Sequence, residues 1–239
     1  VYDQPIGRLM LDKLRTSHVR EWASGTAGRN LNTLKAALNF ALRDRLVASD
    51  AGWKTVARPL STARRRERFL SAAERAALLT HCPSDLRALV TALLLTGARG
   101  GEIASAVTGD IDYNQGTLRL SGKTGARTVT LSTQALAFFK TQTKGKLPAA
   151  PVLTDAFSNA WNKDSWKKRF KAAVVAAGLP SDVVVYTLRH TAISELIAGG
   201  MDSFLVARLA GTSTTMIDKH YGHLCHQQTR ARLDSVVLL

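Results

Sequence analysis

The chain has 239 residues, 45% of them hydrophobic, which supports a packed core and argues against global disorder. Its 33 Lys and Arg against 18 Asp and Glu leave a formal charge of +15. No apolar run approaches the roughly 18–20 residues that span a bilayer, so that charge points away from a membrane and towards a polyanion, nucleic acid above all.

Residues 1–57 read as mostly helical. Leu31, Leu34, Leu38, Ala41 and Leu42 recur at helical spacing, with Lys35 and Arg43 on other faces and Thr26 as the expected cap. Lys35 and Arg43 suit either DNA contact or a solvated face. So short a helical piece makes a thin core by itself and reads as the remainder of a longer domain. The opening Val1-Tyr2-Asp3, without Met or a signal peptide, agrees.

Residues 58–68 form a basic interdomain linker. Arg64, Arg65, Arg66 and Arg68 follow Pro59 and Ser61 without apolar periodicity, a composition suited to lying along a phosphate backbone. A localisation signal or a merely solvated linker is the other use of such a run.

A second domain spans 69–239. Ser71 and Glu74 fit a capping box that opens a helix, and Leu86, Leu89, Val90, Leu93 and Leu94 mark a second helix over 84–96. Short strands are predicted at 110–113, 117–120 and 127–131, then helices at 132–144, 163–177, 187–198, 203–210, 214–220 and 224–235. The fold class is mainly α with a small antiparallel β-sheet. Cys82 and Cys225 are too few for a disulfide framework, so a reduced, cytoplasmic protein is the simpler reading.

Two motifs carry chemistry. One is Thr96-Gly97-Ala98-Arg99-Gly100-Gly101-Glu102; the other runs from Tyr186-Thr187-Leu188-Arg189-His190 through Gly211-Thr212-Ser213 to His220-Tyr221-Gly222-His223. Two arginines and a late tyrosine can clamp a phosphodiester while a phenolic oxygen attacks it. In this order the motifs resemble those of the tyrosine recombinases, the phage-integrase group. The resemblance implies a catalytic domain of that kind preceded by part of a helical, SAM-like core-binding domain.

Carried over residue by residue, the resemblance makes Arg99 and Arg189 the phosphate clamp and Tyr221 the nucleophile of a 3′-phosphotyrosine intermediate. Lys123, in Ser121-Gly122-Lys123-Thr124-Gly125, becomes the general acid for the leaving 5′-oxygen. Glu102 is expected to orient its neighbours, and His190 to support the site by packing and hydrogen bonding. Tyr186 and Thr212 stand where the family usually has histidine. A phenol can still donate a hydrogen bond, but Thr212 cannot carry charge near neutral pH, which leaves His220 and His223 as substitute donors. Arg127, Lys167 and Lys168 join the expected DNA contacts.

Other readings carry less. Gly122-Lys123-Thr124 is similar to the end of a phosphate-binding P-loop, but Thr117 stands where that motif needs glycine. His220, His223, Cys225 and His226 are irregularly spaced for a structural zinc. The resemblance implies double-stranded DNA as partner and a tetramer on paired sites. It also implies a C-terminal segment docking in trans, possible help from DNA-bending proteins, and chemistry without ATP, metal or other cofactor. A weakly cutting relative that acts as a DNA-binding regulator is the alternative function.

Overall fold

The computed structural model describes residues 4–25, 28–57, 68–122 and 125–223. Thr26, Arg64, Arg65, Arg66, Lys123 and everything after His223, including Cys225, His226 and the expected helix at 224–235, lie outside the described residues. The chain divides into two compact units, residues 1–65 and 66–239.

In the first unit two short 3-10 turns, Pro5–Arg8 and Leu11–Lys13, lead into α1 (Thr16–Ser24) and α2 (Gly28–Arg43). Helix does not continue to residue 56 as the sequence suggests. Arg45 takes a left-handed conformation (φ 57°), and the Leu46 amide closes back on the Ala41 carbonyl, which ends the helix. The turns beyond return Trp53 and Val56 to a core with Val19, Ala23, Leu31 and Leu38. The indole N–H of Trp53 donates to Asn39 Oδ1 at 2.7 Å. Gly52 is needed there: a Cβ would sit 2.4 Å from the Leu14 carbonyl oxygen.

The second unit opens with α3 (Ala72–His81). Its capping box closes in both directions: the Glu74 amide donates to Ser71 Oγ at 3.2 Å, and the Ser71 amide donates to Glu74 Oε2 at 2.9 Å. The apolar α4 (Ser84–Thr96) ends at Gly97, whose φ of 61° turns the chain at once into α5 (Gly100–Ser105).

Strands β1 (Ile111–Asp112), β2 (Thr117–Gly122) and β3 (Gly125–Thr130) form an antiparallel sheet in that order, with Leu118 opposite Val129 and Gly122 opposite Gly125. Alternation turns Leu118, Leu120 and Val129 into the core. Pairing holds β3 from Gly125, ahead of the apolar signal that marks its end.

Helices α6 (Thr133–Thr143), α7 (Lys163–Ala176), α8 (Val185–Ala198) and α9 (Ser203–Ala210) follow, and α10 occupies 214–223. Helix α8 starts two residues before the expected 187, because Thr187 Oγ1 accepts the Val184 amide and so caps from inside the first turn. Leu188, Arg189, Thr191, Ala192, Ile193 and Ile197 are all buried, so most of α8 packs inside the unit, against α4, with Tyr186, Glu195 and Ala198 left exposed.

The interior has two parts. A large core joins α3–α7, the sheet and Leu188 of α8. A smaller one gathers Ile193, Ile197, Val206, Ala207, Ala210, Ile217 and Tyr221 from α8, α9 and α10. Among the described residues no helix is long and apolar enough to cross a membrane.

Candidate active site

The turn between α4 and α5 organises the site. Arg99 caps α5, and its amide donates to Glu102 Oε2 at 2.8 Å while its Nη1 donates to Glu102 Oε1 at 2.8 Å. Its Nη2 reaches across the unit to the Gly211 carbonyl at 2.9 Å. A third of the Arg99 side chain stays exposed, whereas Glu102 is 2% exposed.

From β3, Arg127 lays its guanidinium on the same carboxylate, Nη1 to Oε1 at 2.5 Å and Nη2 to Oε2 at 2.9 Å, with Nε near the Leu209 carbonyl at 3.4 Å. The sequence assigns Arg127 to DNA; in the structure its fork lies on Glu102, because β2 packs on α5 and β3 pairs alongside β2. Burial pushes the Glu102 carboxyl up, but hydrogen bonds from Arg127 and Arg99 outweigh it and hold the group below the usual carboxylate range. Gly122, at the end of β2, would place a Cβ 3.2 Å from Glu102, so a larger residue there would press on this carboxylate. The strands on either side of Lys123 thus end beside the Arg99–Glu102 pair, although Lys123 itself lies outside the described residues.

Arg189 rises from the centre of α8, 3% exposed, and its Nη1 donates to the Gly97 carbonyl at 2.8 Å. Burial opposes its charge first, and repulsion from Arg99 opposes it next. Two guanidiniums are therefore held close enough to repel each other, one of them almost out of water. An anion between them would relieve both penalties, and a phosphodiester suits the planar donor geometry.

Tyr221, on α10, is 7% exposed. Its hydroxyl lies 2.5 Å from His190 Nδ1, one residue after Arg189 on α8. Burial pushes the Tyr221 phenol well up from its ordinary value. Burial, then His220 and Arg189, push the His190 imidazole down, so it is neutral near pH 7. Tyr186, half exposed in the first turn of α8, meets the His190 ring edge-on at 4.8 Å. The His220 ring lies 6.3 Å from that of Tyr221, and His223 is exposed at the end of the described helix. Thr212 is half-buried, and its amide donates to the Ala207 carbonyl at 2.9 Å.

The structure thus brings Arg99, Glu102, Tyr186, Arg189, His190, Thr212, His220 and Tyr221 into one neighbourhood of the second unit. Several expected DNA contacts have other partners. Lys35 Nζ donates to the Lys54 and Val56 carbonyls at 3.1 Å each, which ties down the end of the first unit. Arg68 pairs with Glu74 and Asp182. Arg43 remains exposed above the Phe40 ring, and Lys167 and Lys168 are exposed on α7.

Sequence reading misses the Gly97 and Gly211 carbonyls that anchor the two arginines, since a backbone acceptor leaves no residue signature. It also misses the His190–Tyr221 contact. The one available signal was that Tyr186 and His190 share a helical face four residues apart. Among the described residues no cluster of three or more His, Cys, Asp or Glu could hold a metal ion.

Residues 67–228 match the phage integrase family model. The chain belongs to that family. It is 28% identical over 231 residues to the tyrosine recombinase XerD of Corynebacterium glutamicum, covering 87% of this chain and 73% of the relative. Against the tyrosine recombinase XerC of Mycobacterium sp. (strain KMS) it is 28% identical over 247 residues, covering 95% and 82%. In fold it matches the Tn1549 transposon integrase, solved in complex with a circular intermediate DNA, with a TM-score of 0.76 at 17% identity over 98% of this chain and 89% of that one. A lambda integrase dimer bound to a COC′ core site matches with a TM-score of 0.68 at 19% identity, over 86% and 82%.

Proposed function

We propose that this integrase-family chain is a site-specific DNA recombinase that cuts and rejoins strands through Tyr221. The observation that carries the reading is the convergence of two mutually repelling arginines, Arg99 and Arg189, on the helix whose next residue touches the Tyr221 hydroxyl. In the reaction the phenolic oxygen forms a bond to phosphorus and the bond from phosphorus to the 5′-oxygen breaks. Arg99 and Arg189 stabilise the charge that gathers on the non-bridging oxygens. Lys123 protonates the departing 5′-oxygen. A phosphotyrosine ester retains the energy of the broken bond, so a new 5′-hydroxyl can reverse the step without ATP. Glu102 positions Arg99, with Arg127 as its counter-charge.

Double-stranded DNA is the substrate, and the basic charge of the chain favours its capture. Tetramer assembly on paired sites is proposed by analogy with a lambda integrase solved as a tetramer on a Holliday junction. Docking of the C-terminal segment on a neighbouring copy and help from DNA-bending proteins belong to the same proposal.

The test is covalent trapping on nicked duplexes drawn from the junctions that flank the gene. Wild type should yield a protein–DNA adduct that survives denaturation, and Tyr221→Phe should yield none. Tight binding with no adduct from wild type would replace this reading with that of a DNA-binding regulator.

A further inference from the structure

We propose that His190 is the base that takes the phenolic proton of Tyr221 during strand cleavage, and returns it when the strand is rejoined. The inference rests on the recombinase reading above and adds to it the fate of one proton.

Attack on phosphorus requires the Tyr221 oxygen to lose its hydrogen as the new bond forms. Burial opposes spontaneous ionisation of that phenol, so a neighbouring acceptor is needed. The groups around it differ in what they can do. Thr212 has no basic lone pair of the required strength. Tyr186 is itself a phenol, and its ring is turned edge-on to His190. His220 adjoins Tyr221 in sequence, with ring centres 6.3 Å apart. His190 touches the reacting oxygen directly, Nδ1 to hydroxyl at 2.5 Å.

The rest of the geometry fits an acceptor. With its proton on Nε2, neutral imidazole presents a free Nδ1 lone pair to the Tyr221 O–H, which donates. The charged and titratable groups acting on His190 are Arg189 and Tyr186 from its own helix and His220 and Tyr221 from α10. Burial first, then His220 and Arg189, lower the ring's pKa and keep it unprotonated near neutral pH, ready to receive. Tyr186, packed edge-on, is a positioning residue that fixes the plane of the imidazole.

The step balances. The oxygen–phosphorus bond forms as the hydrogen passes to Nδ1, and the resulting imidazolium lies beside a phosphoryl group gaining negative charge. The proton for the leaving 5′-oxygen comes from elsewhere. On rejoining, the 5′-hydroxyl attacks and hands its proton back to the general acid that supplied it, while the imidazolium returns its proton to the departing phenolate.

The experiment measures single-turnover adduct formation against pH with full-length wild type, His190→Gln and His190→Ala. Wild type should be nearly flat from about pH 7 to 9, whereas His190→Gln should be slower by about 100-fold at neutral pH and gain about tenfold per pH unit as hydroxide replaces the base. Adding imidazole to His190→Ala should recover much of the neutral-pH rate. On DNA with sulfur at the bridging 5′ position, whose departing thiolate needs no proton, His190→Gln should stay slow relative to wild type. A His190→Gln profile parallel to wild type overturns the proposal, as does recovery of that variant on the sulfur substrate, which would place His190 on the leaving-group side. If wild type itself forms no adduct, the recombinase reading falls and this proposal falls with it. Equal binding of intact duplex by the variants verifies that they are folded.

Discussion

Glu102 accepts four hydrogen bonds while almost wholly buried, from the Arg99 amide and guanidinium and from both ends of the Arg127 fork. A buried carboxylate so partnered is strongly interdependent with its cations, and removing one side leaves the other uncompensated. Glu102→Gln should therefore lower stability by about 3–5 kcal/mol, measured by denaturant unfolding of the full chain. Its folded-state pKa lies below its ordinary value of 4.5, so the folded state binds this proton less readily than the unfolded one. The resulting stabilisation is complete above the ordinary value and is lost as pH falls through the depressed one. A melting-temperature series from about pH 6 down to about pH 3 should be shallower for Glu102→Gln than for wild type. It should not be flat, since the Glu74 and Asp85 carboxyls are also lowered.

Helix α7 shows how neighbouring charges on one element part company. Arg169 forks onto Asp85 with both contacts at 2.6 Å and lies over the Trp161 ring at 5.0 Å, while Lys167 and Lys168 face solvent. If α7 meets phosphate, Lys168→Ala should reduce the slope of log affinity against log salt by about 0.9, read by fluorescence anisotropy with duplex DNA. Arg169→Ala should leave that slope unchanged and instead cost about 1–3 kcal/mol of stability, because Asp85 loses its partner. Nothing in the string Lys167-Lys168-Arg169 distinguishes these fates. Local signals were legible where the partner is local: the Ser71–Glu74 box, the glycine after α4, the alternation in β2. They failed where the partner is remote. Lys35 finds carbonyls 19 and 21 residues away and Arg127 a carboxylate 25 residues away, and residue type reveals charge but not what the fold will bring to meet it. For the site, the motif arginines and tyrosine could be read because each is tied to its own short signature. The carbonyl anchors and the imidazole–phenol contact depend on how α4, α8 and α10 pack.

Across the whole molecule, positive charge is abundant but the candidate chemistry is confined to the second unit, within the residues that match the family. That unit does not place Tyr221, the proposed nucleophile, in the large core. Tyr221 belongs to the cluster of α8, α9 and α10, which among the described residues gathers far fewer buried apolar side chains than the one under the sheet. Regions with less burial open at lower free energy than the body of a domain. Adduct formation should accordingly be lost at a urea concentration below that which unfolds α3–α7, with amides of residues 206–221 exchanging faster than those of α4. The enzyme would then have a built-in order of failure under stress: its cutting hand lets go first, while the frame that holds the phosphate clamp is still standing.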